Sequence, residues 1–232
     1  FKSWGDKLEK PSTYNPLDFF QTGFNTMNSI AVSTGTETNQ THISFGAVNS
    51  EGIIDNNKYN RYNFTFRNSW DIVKNVLSMD MGLFYIKQNN QNSNGQGMYY
   101  NPLVPIYLFP PSDDINKYAV YERYDADRNF KTQYWPYGNQ GLGMQNPYWI
   151  INRNMFNTDR DRYIISLSMK WNITNWLNII GRARIDNAYT DFERKLYAST
   201  DGLFAKSQGN YMNQEDKNTS TYLDFLVNVD KK

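Results

Sequence analysis

Aromatic side chains come in adjacent pairs at Tyr99-Tyr100, Tyr134-Trp135 and Tyr148-Trp149. A ring with a polar tip can stack on a sugar face or hold a peptide side chain at a wet surface. These residues are therefore the candidate ligand contacts, and the same rings would also serve to fold a loop on itself or to meet a partner protein. Metal and covalent chemistry have thinner support. His42 is the only histidine and cysteine is absent, which leaves neither a His-rich nor a thiolate metal centre. Asp113-Asp114, and Glu122 with Asp125 and Asp127, offer oxygen atoms of the kind calcium takes, but without EF-hand spacing or its glycine. A solvated acidic loop accounts for them. Asn39, Asn63, Asn172 and Asn218 begin Asn-x-Ser/Thr triplets in a chain rich enough in Asn for these to arise by chance. No catalytic constellation stands out, so neither an enzyme nor a cofactor nor a metal is expected.

The remaining charged candidates share a parity. Arg61, Arg67, Asp80, Lys170, Arg182 and Arg184 occupy alternate positions within short segments. The positions between them are apolar: Tyr62, Phe64, Phe66 and Trp70; Leu77, Met79, Met81, Leu83 and Tyr85; Tyr163, Ile165, Leu167, Met169 and Trp171; Leu177, Ile179, Ala183 and Ile185. A strand sends successive side chains to opposite faces. Each segment thus has one greasy and one charged face, as a wall between lipid and water requires. The charged set is expected to line the water-filled side, where each charge is solvated, meets a solute or pairs with a neighbouring segment.

Seven strands are expected, at about 24–34, 41–49, 59–70, 76–87, 161–171, 176–188 and 219–229. Short turns follow the first, third and fifth. Longer connections follow the second, fourth and sixth, two of them very long, at about 88–160 and 189–218. In an up-and-down barrel alternate connections lie on one side, and outer-membrane barrels keep short turns inside and long loops outside. Trp70, Trp171 and Trp176 fall beside short turns, whereas Tyr62, Tyr85 and Tyr163 fall on the long-loop side. The two sets are expected to form aromatic girdles at the two headgroup levels.

Composition sets the outer bounds. The chain has 232 residues, a net charge of +1 and 16% aromatic residues, with a mean hydropathy of -0.74. No apolar run is long enough for a membrane helix, and near-neutral charge gives no support for a nucleic-acid surface. Alternation halves the apolar signal of a transmembrane strand, so low hydropathy does not count against a barrel. Bacterial single-chain barrels have even strand numbers; seven strands are read as an arc of a larger one. The start lacks a signal-peptide core, and the chain is expected to be an internal piece. The other fold that alternation serves is a soluble β-sandwich, which would make this a glycan-binding or adhesion module.

The residues also resemble a family. Ser3-Trp4-Gly5 with Lys7, Asn15-Pro16-Leu17-Asp18-Phe19-Phe20-Gln21-Thr22-Gly23 and Asn28-Ser29-Ile30-Ala31-Val32-Ser33 are similar to the early barrel of SusC/RagA-type TonB-dependent outer-membrane transporters. So are Ile43-Ser44-Phe45, the run Asn49-Ser50-Glu51-Gly52-Ile53-Ile54, Arg61-Tyr62-Asn63, Asn146-Pro147-Tyr148-Trp149 and Trp176-Leu177. The likeness thins over 88–145 and 189–217, and Lys7-Leu8-Glu9-Lys10 stands where that family often has Asp-Gly. The resemblance implies an all-β chain: an arc of about seven antiparallel strands from a transmembrane barrel of about 22, with the plug domain and C-terminal barrel strands outside residues 1–232. It also implies a bacterial outer-membrane location, outer-membrane lipid around the barrel and a SusD-like surface lipoprotein as lid. Energy from TonB–ExbB–ExbD and an oligosaccharide or peptide solute complete what it implies. A diffusion porin would differ in having no plug.

Overall fold

The computed structural model describes residues 9, 14–93, 97, 99–137 and 144–230. Its frame is a single seven-stranded antiparallel sheet: β1 (Phe24–Gly35), β2 (Asn39–Glu51), β3 (Lys58–Val73), β4 (Leu77–Gln91), β7 (Asn154–Asn172), β8 (Leu177–Leu196) and β9 (Asn210–Val229). Spatial order follows chain order, with each strand beside the next. This is the up-and-down meander expected of a barrel arc. Its edges, β1 and β9, each have one sheet neighbour among the described residues.

Register carries the two-faced pattern across the whole sheet. One row runs Val32, Ile43, Phe66, Leu83, Ile165, Ile185. The next runs Met81, Leu167, Ala183, Leu223. On the other face a row runs Ser33, His42, Arg67, Gly82, Ser166, Arg184, Tyr222. A slip of one residue at any pairing would put arginines among the leucines, so the pattern and the register enforce one another. The apolar stretch of β4, Leu77 to Tyr85, rises about 27 Å along the strand. Tilted by about 40°, it projects to roughly 20 Å and, with its girdles, fits the ~25 Å apolar band of an outer-membrane barrel.

The strands run farther than the sequence implies, and nearly always at the long-loop end. β7 begins at Asn154 rather than near 161, β8 continues to Leu196 rather than 188, and β9 begins at Asn210 rather than 219. These extensions, such as Asn213, Glu215 and Lys217 on β9, are polar on both faces, so no alternation marks them. A ladder with water on both sides needs no apolar face. The connection expected over 189–218 therefore shrinks to 197–209.

Nor is the connection expected over 88–160 a bare loop. Between β4 and β7 it holds a short helix α1 (Leu103–Tyr107), a 3-10 turn at Ile115–Ala119 and a hairpin of β5 (Glu122–Asp125) with β6 (Phe130–Gln133). A second helix, α2 (Pro147–Arg153), closes it. The start of α2 is set locally: Asn146 caps it by accepting from Tyr148 N, and Pro147 sits in the first turn, where its missing N–H costs nothing. Ile106, Phe109, Ile115 and Tyr118 form the core of this cap, with Tyr14, Phe19, Tyr134, Trp135, Tyr137 and Tyr148 packed around them.

Candidate functional site

Three parts of the chain bear on function: the charged face of the sheet, its apolar face and the cap. On the charged face, register decides which charges meet. Arg182 lies opposite Asp224 and grips it with two bonds, Nε to Oδ1 at 2.9 Å and a terminal nitrogen to Oδ2 at 2.5 Å. Arg162 holds Asp186 in the same forked way at 2.8 and 2.6 Å, and Arg184 reaches the same carboxylate at 3.2 Å. Asp80 accepts from Ser69 Oγ at 2.6 Å. Arg61 donates to Asn63 at 2.9 Å, and Arg67 lies over the Phe84 ring, 5.0 Å from its centre. Lys170 is exposed, and His42 Nδ1 is 2.8 Å from Ser33 Oγ. This face is thus a lattice of forked arginine pairs laid across neighbouring strands, a geometry lysine cannot reproduce.

On the opposite face, Tyr62, Trp70, Tyr85, Tyr163 and Trp171 are exposed, as is Trp176 in the turn before β8. Tyr85 and Tyr163 are direct cross-strand neighbours, and so are Trp171 and Leu77 at the other end of the band. The tyrosines stand at the cap end and the tryptophans at the short-turn end, with Phe66, Leu83, Ile165 and Ile185 between. Val32, Ile165, Leu167, Leu223 and Val227 are among the exposed apolar side chains of this face, and a contiguous apolar patch marks an interaction surface.

The paired aromatics of the long connection hold the cap together. Trp149 is fully buried, and its Nε1 donates to Thr200 at 3.0 Å, which in turn bonds Asn154 at 2.8 Å. The Trp149 ring is enclosed by the cap. Tyr99 and Tyr100 both pack on Phe204 of the next connection, at 4.8 and 4.9 Å between ring centres. Tyr148 meets Phe19 edge-on, Trp135 packs between Phe109, Tyr118 and Tyr137, and Tyr134 lies under the Arg123 guanidinium. These contacts join the segments around the mouth of the arc into one body.

Polar groups do the same. Asn146 is fully buried and saturated: its N–H donates to Gln133, its amide donates to the carbonyls of Tyr118 and Tyr134, and its Oδ1 accepts from Tyr148 N. Asn56, from the connection between β2 and β3, donates to Ile151 O and Asn152 Oδ1. Glu122 pairs with Arg153 at 2.7 Å and Lys131 at 3.1 Å. Burial raises the Glu122 pKa, but these two cations outweigh it and hold the carboxyl below its usual range. The sequence does not mark Asn56 or Thr200, and it offers Asn146 only within the Asn146-Pro147-Tyr148-Trp149 motif. Only the Asn-Pro cap at 146–147 carries a local signal, because the other partners are distant in the chain.

The acidic candidates prove to be ties within the cap. Asp113 accepts from Tyr118 at 2.5 Å, Tyr137 at 2.6 Å, Lys117 at 2.9 Å and the Asp114 N–H. Asp125 accepts from the N–H groups of Asp127 and Arg128 in the β5–β6 turn. Burial alone would raise the Asp113 pKa, yet its four donors win and hold the carboxyl well below its ordinary value. A depressed folded-state pKa stabilises fully above the unfolded value of about 4, and that contribution is lost as pH falls through the folded value. Amide-exchange protection of residues 106–118 is therefore expected to stay flat from pH 7 to about 4 and to decline below it. Asp113→Asn should weaken that protection at pH 7 and flatten the acid decline; an unchanged profile would remove Asp113 from the cap's support.

No family model matches the chain, and no curated protein matches it in sequence. Solved structures do match. The chain aligns with the RagAB peptide importer in a closed–closed state and in an open–open state, and with the RagAB peptide transporter, at TM-scores of 0.69, 0.68 and 0.70. Identity is 15% in each case, over 94% of this chain. The chain has the fold of an arc of a SusC/RagA-type barrel. It spans about a quarter of the length of the RagAB chains it matches, 24%, 24% and 23%. At this identity the RagAB likeness is one of fold alone. Among the described residues no helix is long and apolar enough to cross a membrane, which says nothing for or against crossing by strands.

Proposed function

We propose that the chain is part of the wall and outer rim of a TonB-dependent importer in a bacterial outer membrane, taking up peptides or glycan oligomers. The observation that carries this reading is the continuous apolar band, closed by tyrosine at one end and tryptophan at the other, on a sheet with the RagAB architecture. The arginine lattice on the other face becomes the lumen lining, and the cap becomes the outer mouth, where a SusD-like lipoprotein would sit. Uptake is binding and gating with no covalent step in this arc; the energy comes through TonB–ExbB–ExbD, acting outside these residues. The neighbours are described as a peptide importer, which favours peptide over glycan as solute. The likeness to their closed–closed and open–open states is nearly equal, 0.69 and 0.68, in keeping with a wall that stays fixed while other parts move.

The test is fractionation of the native cells and affinity purification of the complete protein with its partners. The expected result is a heat-modifiable outer-membrane protein several times the length of this chain, co-purifying with a surface lipoprotein. A soluble, monomeric protein of about 27 kDa would replace this reading with a glycan-binding or adhesion module.

A further inference from the structure

We propose that a shallow concavity beside Gly82 on the lumen face is a carboxylate-binding site with Arg67 as its principal ligand group, an inference that rests on reading this face as the lumen. Arg67, Gly82, Ser166 and Arg184 form one cross-strand row. Gly82 lets Ser166 close in on it: a Cβ there would stand 2.7 Å from Ser166 Oγ. Two guanidinium groups therefore flank a floor of small residues, Gly82 and Ser166, with Ser69 and Ser168 beside them. The space amounts to about 450 Å³ and opens toward the lumen.

The charges around it do not cancel. Arg182 is taken by Asp224, and Arg162 and Arg184 share Asp186. Asp80 already accepts from Ser69. Four arginines, including Arg67, thus face three carboxylates. The unmatched cation is Arg67, which is exposed and has no carboxylate partner among the described residues. Its guanidinium lies over the Phe84 ring, 5.0 Å from the centre. A guanidinium fork takes a carboxylate with two parallel bonds. That carboxylate arrives either on an acidic solute in transit or on a segment of the complete protein lying within the lumen; the chemistry is the same for both.

The experiment uses the complete protein in detergent, as wild type, Arg67→Gln, Arg67→Lys and Phe84→Leu. The probes are a dye-labelled tetraglutamate peptide and its tetraglutamine counterpart, at low salt and at about 0.5 M salt, where screening weakens exposed charge pairs. Amide exchange is measured without probe. If the solute brings the carboxylate, wild type prefers tetraglutamate about ten-fold at low salt. Arg67→Gln loses that preference, Arg67→Lys regains part of it, and Phe84→Leu keeps it. If the protein's own segment brings it, no peptide preference exists. Instead Arg67→Gln lowers exchange protection in a segment outside residues 1–232, Arg67→Lys restores part of it, and Phe84→Leu does not lower it. The proposal is overturned if Arg67→Gln changes neither readout, or changes only what Phe84→Leu changes. Such a result in a protein confirmed in the outer membrane would sink the site and leave the importer reading standing.

Discussion

Leu167→Arg is expected to destabilise the complete barrel in a bilayer by about 2–4 kcal/mol, whereas Tyr163→Arg on the same strand and face is expected to cost about 0–1 kcal/mol. Both residues belong to the exposed apolar row of β7. Leu167 lies near the middle of the band, beside Met81 and Ala183, and Tyr163 stands at its tyrosine rim, beside Tyr85. At mid-depth a guanidinium has no water within reach, while at the rim it extends into the headgroups. Ser168→Arg, one residue along and facing the lumen, should be nearly neutral. Urea titration of the protein folded into lipid vesicles reads all three. Equal costs at Leu167 and Tyr163 would count against lipid on this face.

The second large effect concerns the cap. Asn146→Leu removes the amide that satisfies the Tyr118 and Tyr134 carbonyls and the Oδ1 that caps α2. Two buried acceptors lose their donor and one helix start loses its cap, at about 1–3 kcal/mol for each unpaired group and about 1 kcal/mol for the cap. Together these cost about 3 kcal/mol or more, enough to open a cap that packs on the sheet without belonging to it. The expected result is fast amide exchange and proteolysis across 99–137 with the strands unchanged. Loss of the whole barrel would show instead that cap and wall fold as one unit. Retained protection across 99–137 would show that the cap does not depend on Asn146.

The faces of the sheet are legible in the sequence because the signal is local. Leu77, Met79, Met81, Leu83 and Tyr85 alternate with Ser78, Asp80 and Gly82, and a period of two has one interpretation as a strand. Strand ends are less so. Residues 154–160 and 210–218 extend β7 and β9 into water, where both faces are polar and alternation carries no information. That error propagates to the lumen. Pairing Arg182 with Asp224 requires the register of β8 against β9, which a connection of 197–209 sets and one of 189–218 leaves open. The parity of Arg67, Arg182 and Arg184 is readable, but their partners are not.

The cap is the least legible part. Its aromatics look like a ligand surface in sequence because the residues that bury them are far away: Thr200 for Trp149, Phe204 for Tyr99 and Tyr100, Phe19 for Tyr148. Composition announces many rings; only the tertiary contacts tell which rings fold the cap and which remain exposed, as Tyr107 and Tyr124 do.

The most direct measurement is a spin-label scan of β7 in the complete protein in lipid vesicles. Single cysteines are placed in turn at residues 163–169 of a cysteine-free background, and collision with oxygen is compared with collision with a water-soluble nickel chelate. The account predicts a strict alternation. Labels at Tyr163, Ile165, Leu167 and Met169 meet oxygen and exclude nickel, with Leu167 more excluded than Tyr163, while labels at Ile164, Ser166 and Ser168 show no such lipid signature. Equal accessibility at both parities, or nickel reaching the odd positions freely, would contradict a lipid-facing wall.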